Sequence, residues 1–259
     1  MMAKHPLDGV RAKIKRAEKH LSDFHTSYDI FMESQPITLG REINLERKYE
    51  KVFYKEIRST PEELLLQIGD TIHNLRSALD LLACQLVKLN VADHNCADVS
   101  FPIADNAQKF DTALGRNILF RQDAIQIFQQ LESYKNGQGH TLWQLHRLDI
   151  QDKHRLLIVV PIYVVNADIN IMPLGVDVPP IKFPPAHGLG IPKVGDVFFV
   201  IDESVHALSP TRELNVQGKY TADLMIYETE IMEPKSAGAT LNEFVTVVKD
   251  VVKRFETIF

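Results

Sequence analysis

Cys84 and Cys96 are the only cysteines in 259 residues, too few for a disulfide framework. Cys84 falls inside an apolar helical pattern, so a disulfide framework is not expected and a reducing, cytoplasmic compartment is. Long apolar runs are also missing. The longest, LLIVVPIYVV at 156–165, is about half of the ~20 residues a spanning helix needs, and Pro161 interrupts it. The basic N-terminus, MMAKHPLDGVRAKIKRAEKH, has no continuous apolar core, so it does not read as a secretory signal. Basic charge is not in excess. The formal net charge is -5, which gives no global pull toward nucleic acid or an anionic membrane. Phosphate-loop and dinucleotide fingerprints, a GxSxG elbow, and HxxxH or CxxC spacings are absent, as are repeats and low-complexity tracts.

What is present is a composition able to bury a sizeable core, 45% hydrophobic and 24% charged. Val10, Ile14, Ala17, Leu21, Phe24, Tyr28 and Phe31 recur at steps of three and four, predicting a helix over 7–33. Arg11, Lys13, Lys15, Arg16 and Lys19 form its other face. They read as a solvated face rather than a contact with an RNA backbone. Residues 41–58 suggest one or two strands. STPEE then announces a helix, with Thr60 as cap, Pro61 in the first turn and Glu63 closing a capping box. The helix is expected to reach about Leu89 and to be packed by neighbours all round. Further helices are expected near 122–133 and 141–153, with a turn at NGQG, 136–139.

After residue 155 the chain becomes rich in β-branched and aromatic residues, in 156–165, 196–201 and 220–231. PLG, VPP, FPP and GIPKVGD separate these runs, which predicts a small antiparallel sheet. Leu241, Phe244, Val247 or Val248, Val251 and Phe255 make the last segment an amphipathic helix. The expected fold class is α+β: a long-helix bundle over 1–155 with a short hairpin near 41–58, an antiparallel β-rich part over 156–236, and a C-terminal helix over 237–259 packing back into one compact unit.

The second predicted helix carries IGDTIHNLRSALD, whose polar groups are unusual for a core helix. Gly69, His73, Arg76 and Asp80 fall on one strip beside the leucine stripe, and Asp70, Asn74 and Ser77 on another. Arg76 and Asp80 are four apart and can pair. Gly69 costs about 1 kcal/mol in a helix interior, so another backbone or a ligand is expected to approach it closely. The second dense stretch is WQLHRLDIQDKHRLL, 143–157, with His146, Arg147, Asp149, Asp152, Lys153, His154 and Arg155 at the end of a helix. A His that moves a proton beside an Arg that holds phosphate suits phosphodiester cleavage. A metal site from His73, His154 and one of His20 or His25 would need three helices to converge.

Together these stretches resemble a group of bacterial proteins whose signature helix is close to GDALHNLRSALDHLAWQLV. The "FPI" at 101–103, LESYKNGQ at 131–138 and LHRLDIQDKHRLL at 145–157 also fit. The resemblance implies a polar site shared by two helices, at Gly69, Asp70, His73, Asn74, Arg76 and Asp80, then Asp152, Lys153, His154 and Arg155. It implies no particular activity. Leu81 stands where that pattern has a second His. Arg147 and His154 are also similar in spacing to the motif of the HEPN superfamily, helical ribonucleases that need no metal. Leu148 replaces their usual polar residue, and the following β-rich segment is foreign to that fold.

Two readings therefore compete. In one, His154, Arg147, His73 and Arg155 cleave RNA or act on a nucleotide without a metal or cofactor. In the other, Asp70, Asn74, Arg76, Asp80, Asp152 and Lys153 form a structural or ligand-binding network in a non-enzymatic protein. A homodimer stays open, and a membrane partner is not expected.

Overall fold

A computed structural model describes residues 5–44, 49–116, 119–164, 169–173, 191–201, 214–218 and 221–259. Six α-helices are described: α1 (Asp8–Glu33), α2 (Glu62–Lys88), α3 (Ala107–Arg116), α4 (Gln122–Leu131), α5 (His140–Asp152) and α6 (Ala237–Phe255). The strands are β1 (Ile37–Asn44), β2 (Tyr49–Ile57), β3 (Val159–Val164), β4 (Ile169–Pro173), β5 (Val197–Ile201), β6 (Leu214–Gly218), β7 (Thr221–Ile226) and β8 (Lys235–Ser236). The α+β class with long N-terminal helices and a C-terminal helix is what the periodicities predict. The VPP and FPP separators lie outside the described residues. Among the described residues, no helix is long and apolar enough to cross a membrane.

The chain forms two units, Met1–Ser27 with Glu62–Ile158 and Ile226–Phe259, and Tyr28–Pro61 with Val159–Met225. The hairpin of β1 and β2 leaves the helical segment because β2 needs a partner for its second edge, and β5 supplies it in antiparallel register.

In the first unit, Val10, Ile14, Ala17, Leu21 and Phe24 of α1 are all buried, as their spacing requires, as is Leu7 just before the helix. The core of α2 is Leu64, Ile68, Ile72, Leu75, Leu79, Leu82 and Leu86, with Ala78, Ala83 and Val87. The helix is not packed all round: Leu66 is 51% exposed, so its first turns keep a solvent face. Thr60 does not cap α2. Its hydroxyl donates to the Val159 carbonyl at 2.7 Å, within the second unit. Helix α6 begins at Ser236, whose side chain accepts from Ala239 N–H, and buries Leu241, Phe244, Val248 and Phe255. It packs back on the helical part: the Phe255 ring lies 4.9 Å from Phe128 and 6.3 Å from Phe101. Before α5, Gly139 lies so close to Leu131 that a Cβ would sit 2.5 Å from the Leu131 carbonyl oxygen.

Cys84 and Cys96 are joined in a disulfide, which the place of Cys84 in an apolar helical pattern did not lead one to expect. The segment after α2 turns back on itself through a short 3-10 turn at Cys96–Asp98. This brings the two Cα atoms to 5.5 Å, a separation the linear pattern did not reveal.

In the second unit, β1, β2 and β5 form one sheet, β4 pairs with β6 antiparallel, and β7 lies beside β3. Gly40 faces the Phe53 ring at a distance that leaves no room for a side chain. The last turns of α1 contribute Tyr28, which donates to Asp223 at 3.1 Å. Burial and that carboxylate push the Tyr28 hydroxyl well above its usual range.

Candidate functional site at the α2–α5 seam

Helices α2 and α5 meet along a seam because each presents an apolar stripe with polar groups at its edge. On α5 the buried positions include Leu142, Leu145, Leu148 and Asp149. A carboxylate on a buried stripe requires partners, and α2 supplies one. His73 Nδ1 lies 3.0 Å from Asp149 Oδ1. Lys153, one turn on from Asp149, brings its ammonium to 2.5 Å from the other oxygen. The exposures differ sharply: the Asp149 side chain is 3% exposed, while His73 is 51% exposed. An exposed imidazole is thus anchored by a sealed carboxylate. The Ser77 hydroxyl stands 3.5 Å from Nε2, the other ring nitrogen.

A second, buried cluster lies along the same helices. Arg76 is 6% exposed. Its Nε donates to His146 Nδ1 at 3.2 Å and its Nη2 to the Phe101 carbonyl at 3.3 Å. Nη1 lies 2.8 Å from Asp80 Oδ1, an ion pair whose angle falls outside hydrogen-bond geometry. Asp80 also accepts from Phe101 N–H at 2.9 Å. Phe101 is therefore clamped at both its N–H and its C=O. Burial holds the His146 imidazole down at about 4, with the Arg76 charge second, so it stays neutral and can accept from Arg76. Burial raises the Asp80 carboxyl against the pull of Arg76.

Gly69 is explained by a side chain, and neither a backbone nor a ligand is needed. A Cβ there would lie 2.3 Å from Asp152 Oδ2, so the absent side chain gives room for the Asp152 carboxylate between the helices. Asp152 Oδ1 is buried without a hydrogen-bond partner. Burial, followed by the Asp149 and Asp70 charges, pushes this carboxyl up. Asp70 faces α1, with His20 Nδ1 at 3.7 Å. Asn74 donates to the Asp70 carbonyl and accepts from Lys13 Nζ at 3.3 Å.

The remaining expected residues lie elsewhere. His154 is exposed in the turn that ends α5. Among the described residues, its side chain makes no hydrogen bond to His73, Arg147 or Arg155. Arg155 turns away to Glu228, with a two-pronged contact at 2.9 and 2.8 Å. Glu228 also holds Ile158 N–H at 2.9 Å. Arg147 is half-buried, and its charge helps to lower Asp105 and His146. Among the described residues, no cluster of three or more His, Cys, Asp or Glu side chains could hold a metal ion.

Asp149, His146 and the Phe101 backbone complete the site, and motif spacing alone did not single them out. The available signal was Asp149 on the Leu142–Leu145 stripe, a carboxylate on an apolar face. Comparison with models of protein families, with curated proteins and with solved structures gives no match for this chain.

Proposed function

We propose that the solvent side of the α2–α5 seam is a proton-transfer centre that cleaves RNA without a metal, with His73 as its base. One observation carries this reading: a half-exposed imidazole bonded at Nδ1 to a sealed carboxylate, 3.0 Å away. That bond favours the tautomer with hydrogen on Nδ1 and leaves a lone pair on Nε2, beside the Ser77 hydroxyl at 3.5 Å. Nε2 takes the proton of a ribose 2′-hydroxyl, and the 2′-oxygen attacks the adjacent phosphorus. The 5′-oxygen of the next nucleotide leaves and takes up a proton, and the product carries a 2′,3′-cyclic phosphate. Lys153 is 53% exposed beside Asp149 and supplies positive charge for the phosphate. The likeness to HEPN ribonucleases rests on Arg147 and His154, so it suggests the same reaction class without supplying this centre, whose base is His73.

The test is incubation of the pure protein with mixed RNA in EDTA, alongside His73→Ala, Asp149→Asn and His154→Ala. The wild type should yield cyclic-phosphate ends, and His73→Ala should lose at least ~100-fold in rate. No cleavage by the wild type, or undiminished cleavage by His73→Ala, removes the proposal.

A second reading is favoured for the buried half of the seam. Arg76 directs its guanidinium to protein groups, at His146, Phe101 and Asp80. This cluster serves as a structural network, as in a non-enzymatic binding or interaction protein. It is the reading that remains for the whole seam if RNA is not cleaved.

A further inference from the structure

The segment between α2 and Phe101 is a strap with little core of its own. Val91, Ala92, Asp93, Asn95, Ala97, Asp98 and Ser100 are exposed. Its 3-10 turn is capped locally, Asn95 Oδ1 accepting from Ala97 N–H at 3.2 Å. The strap ends at Phe101, which is 1% exposed and packs its ring 5.2 Å from Phe128. Two ties fasten it to α2. One is the Cys84–Cys96 disulfide. The other is the clamp of Asp80 and Arg76 on the Phe101 N–H and C=O. Cys84 and Asp80 are one helical turn apart, so both ties reach the same stretch of α2.

We propose that Cys84–Cys96 is a reversible thiol–disulfide centre that sets how firmly the strap and the Phe101 clamp are held. Its chemical partners are a small dithiol in one direction and a glutathione-type disulfide in the other. A thiolate attacks Sγ of Cys96, the less buried residue of the pair. Cys84 leaves as a thiolate and takes up a proton. The reductant's second thiol then displaces Cys96 from the mixed disulfide. Two electrons pass from the reductant, which ends as a disulfide, to the protein pair. Because the strap is exposed, this attack does not require the helical core to open. Its effect reaches the seam because the same Arg76 that holds the Phe101 carbonyl also holds His146.

The full-length protein would be compared after equilibration with glutathione disulfide and with excess dithiothreitol, both without denaturant. Alkylation followed by mass measurement reports the thiols, and hydrogen exchange reports the amides of 91–101. Dithiothreitol should expose both thiols in the folded protein, raise exchange across the strap by at least ~10-fold, and be reversed by glutathione disulfide. A Cys84→Ser/Cys96→Ser variant should match the reduced form. If that variant does not fold, the reduced wild type supplies the same readout. A bond that opens only in denaturant, or equal exchange in the two states, would overturn the proposal and make the disulfide a permanent staple.

Discussion

Replacing Arg76 by Ala tests the buried cluster most directly. The substitution removes a guanidinium that is 6% exposed and leaves three partners behind. The Phe101 carbonyl and His146 Nδ1 each lose a donor, at about 1–3 kcal/mol for an acceptor left buried. Asp80 loses its counter-ion but is 38% exposed, so water recovers part of that loss. The sum is about 3–4 kcal/mol, below the ~5 kcal/mol upper range for breaking a fully buried pair. At about 2–4 °C per kcal/mol for a chain of this size, Tm should fall by about 10 °C. Lys15 on α1 is exposed, and Lys15→Ala should change stability by no more than ~0.5 kcal/mol. Thermal unfolding of the two variants beside the wild type gives the comparison. Equal Tm values would refute the assignment of Arg76 as the centre of the network.

Stability should also depend on pH through His146, which the fold holds at about 4 while the unfolded chain takes up a proton near 6.5. Its contribution is complete above about pH 6.5 and falls by about 3 kcal/mol as pH drops toward about 4. Urea unfolding across that range should show the slope, and His146→Ala should flatten it. The raised carboxyls of Asp80 and Asp152 oppose the trend, because acid relieves their burial. Gly69→Ala, which in an open helix stabilises by up to ~1 kcal/mol, should instead destabilise by about 1 kcal/mol by displacing Asp152. In an Asp152→Ala background the same change should become stabilising, as denaturant titration of the double variant would show. Glu228→Gln should cost about 1–3 kcal/mol in the same titration, since the carboxylate is 5% exposed and accepts both prongs of Arg155.

Helix positions were legible because their determinants are local. The stripe from Val10 to Phe24 needs only a period of 3.6, and the structure buries each of its apolar members. The pairing of Arg76 with Asp80 was legible for the same reason, as two side chains one turn apart. Helix α3 was missed although Phe110 and Leu114 mark its buried face, because ten residues repeat that pattern only once, and strands β4 and β6 because five residues each give a short alternation. The anchoring of His73 by Asp149 joins positions 76 apart in the chain, and no periodicity within one helix encodes it. The disulfide depends likewise on a chain reversal that spacing does not specify.

The helical unit is assembled from three separated stretches of chain, and this has a consequence for synthesis. Phe255, fully buried against Phe101 and Phe128, belongs to the last of those stretches. During translation, α2 and α5 leave the ribosome long before α6. At ~5–20 residues per second the interval is on the order of 5–20 s. Through that time the apolar surface awaiting Phe244, Val248 and Phe255 has no cover, while strands β3 to β7 of the second unit emerge in between. A nascent chain halted before α6 should therefore be cut readily within α5, and the released full-length chain should resist cutting there. The burden of protecting the core falls on whatever attends the ribosome during that interval.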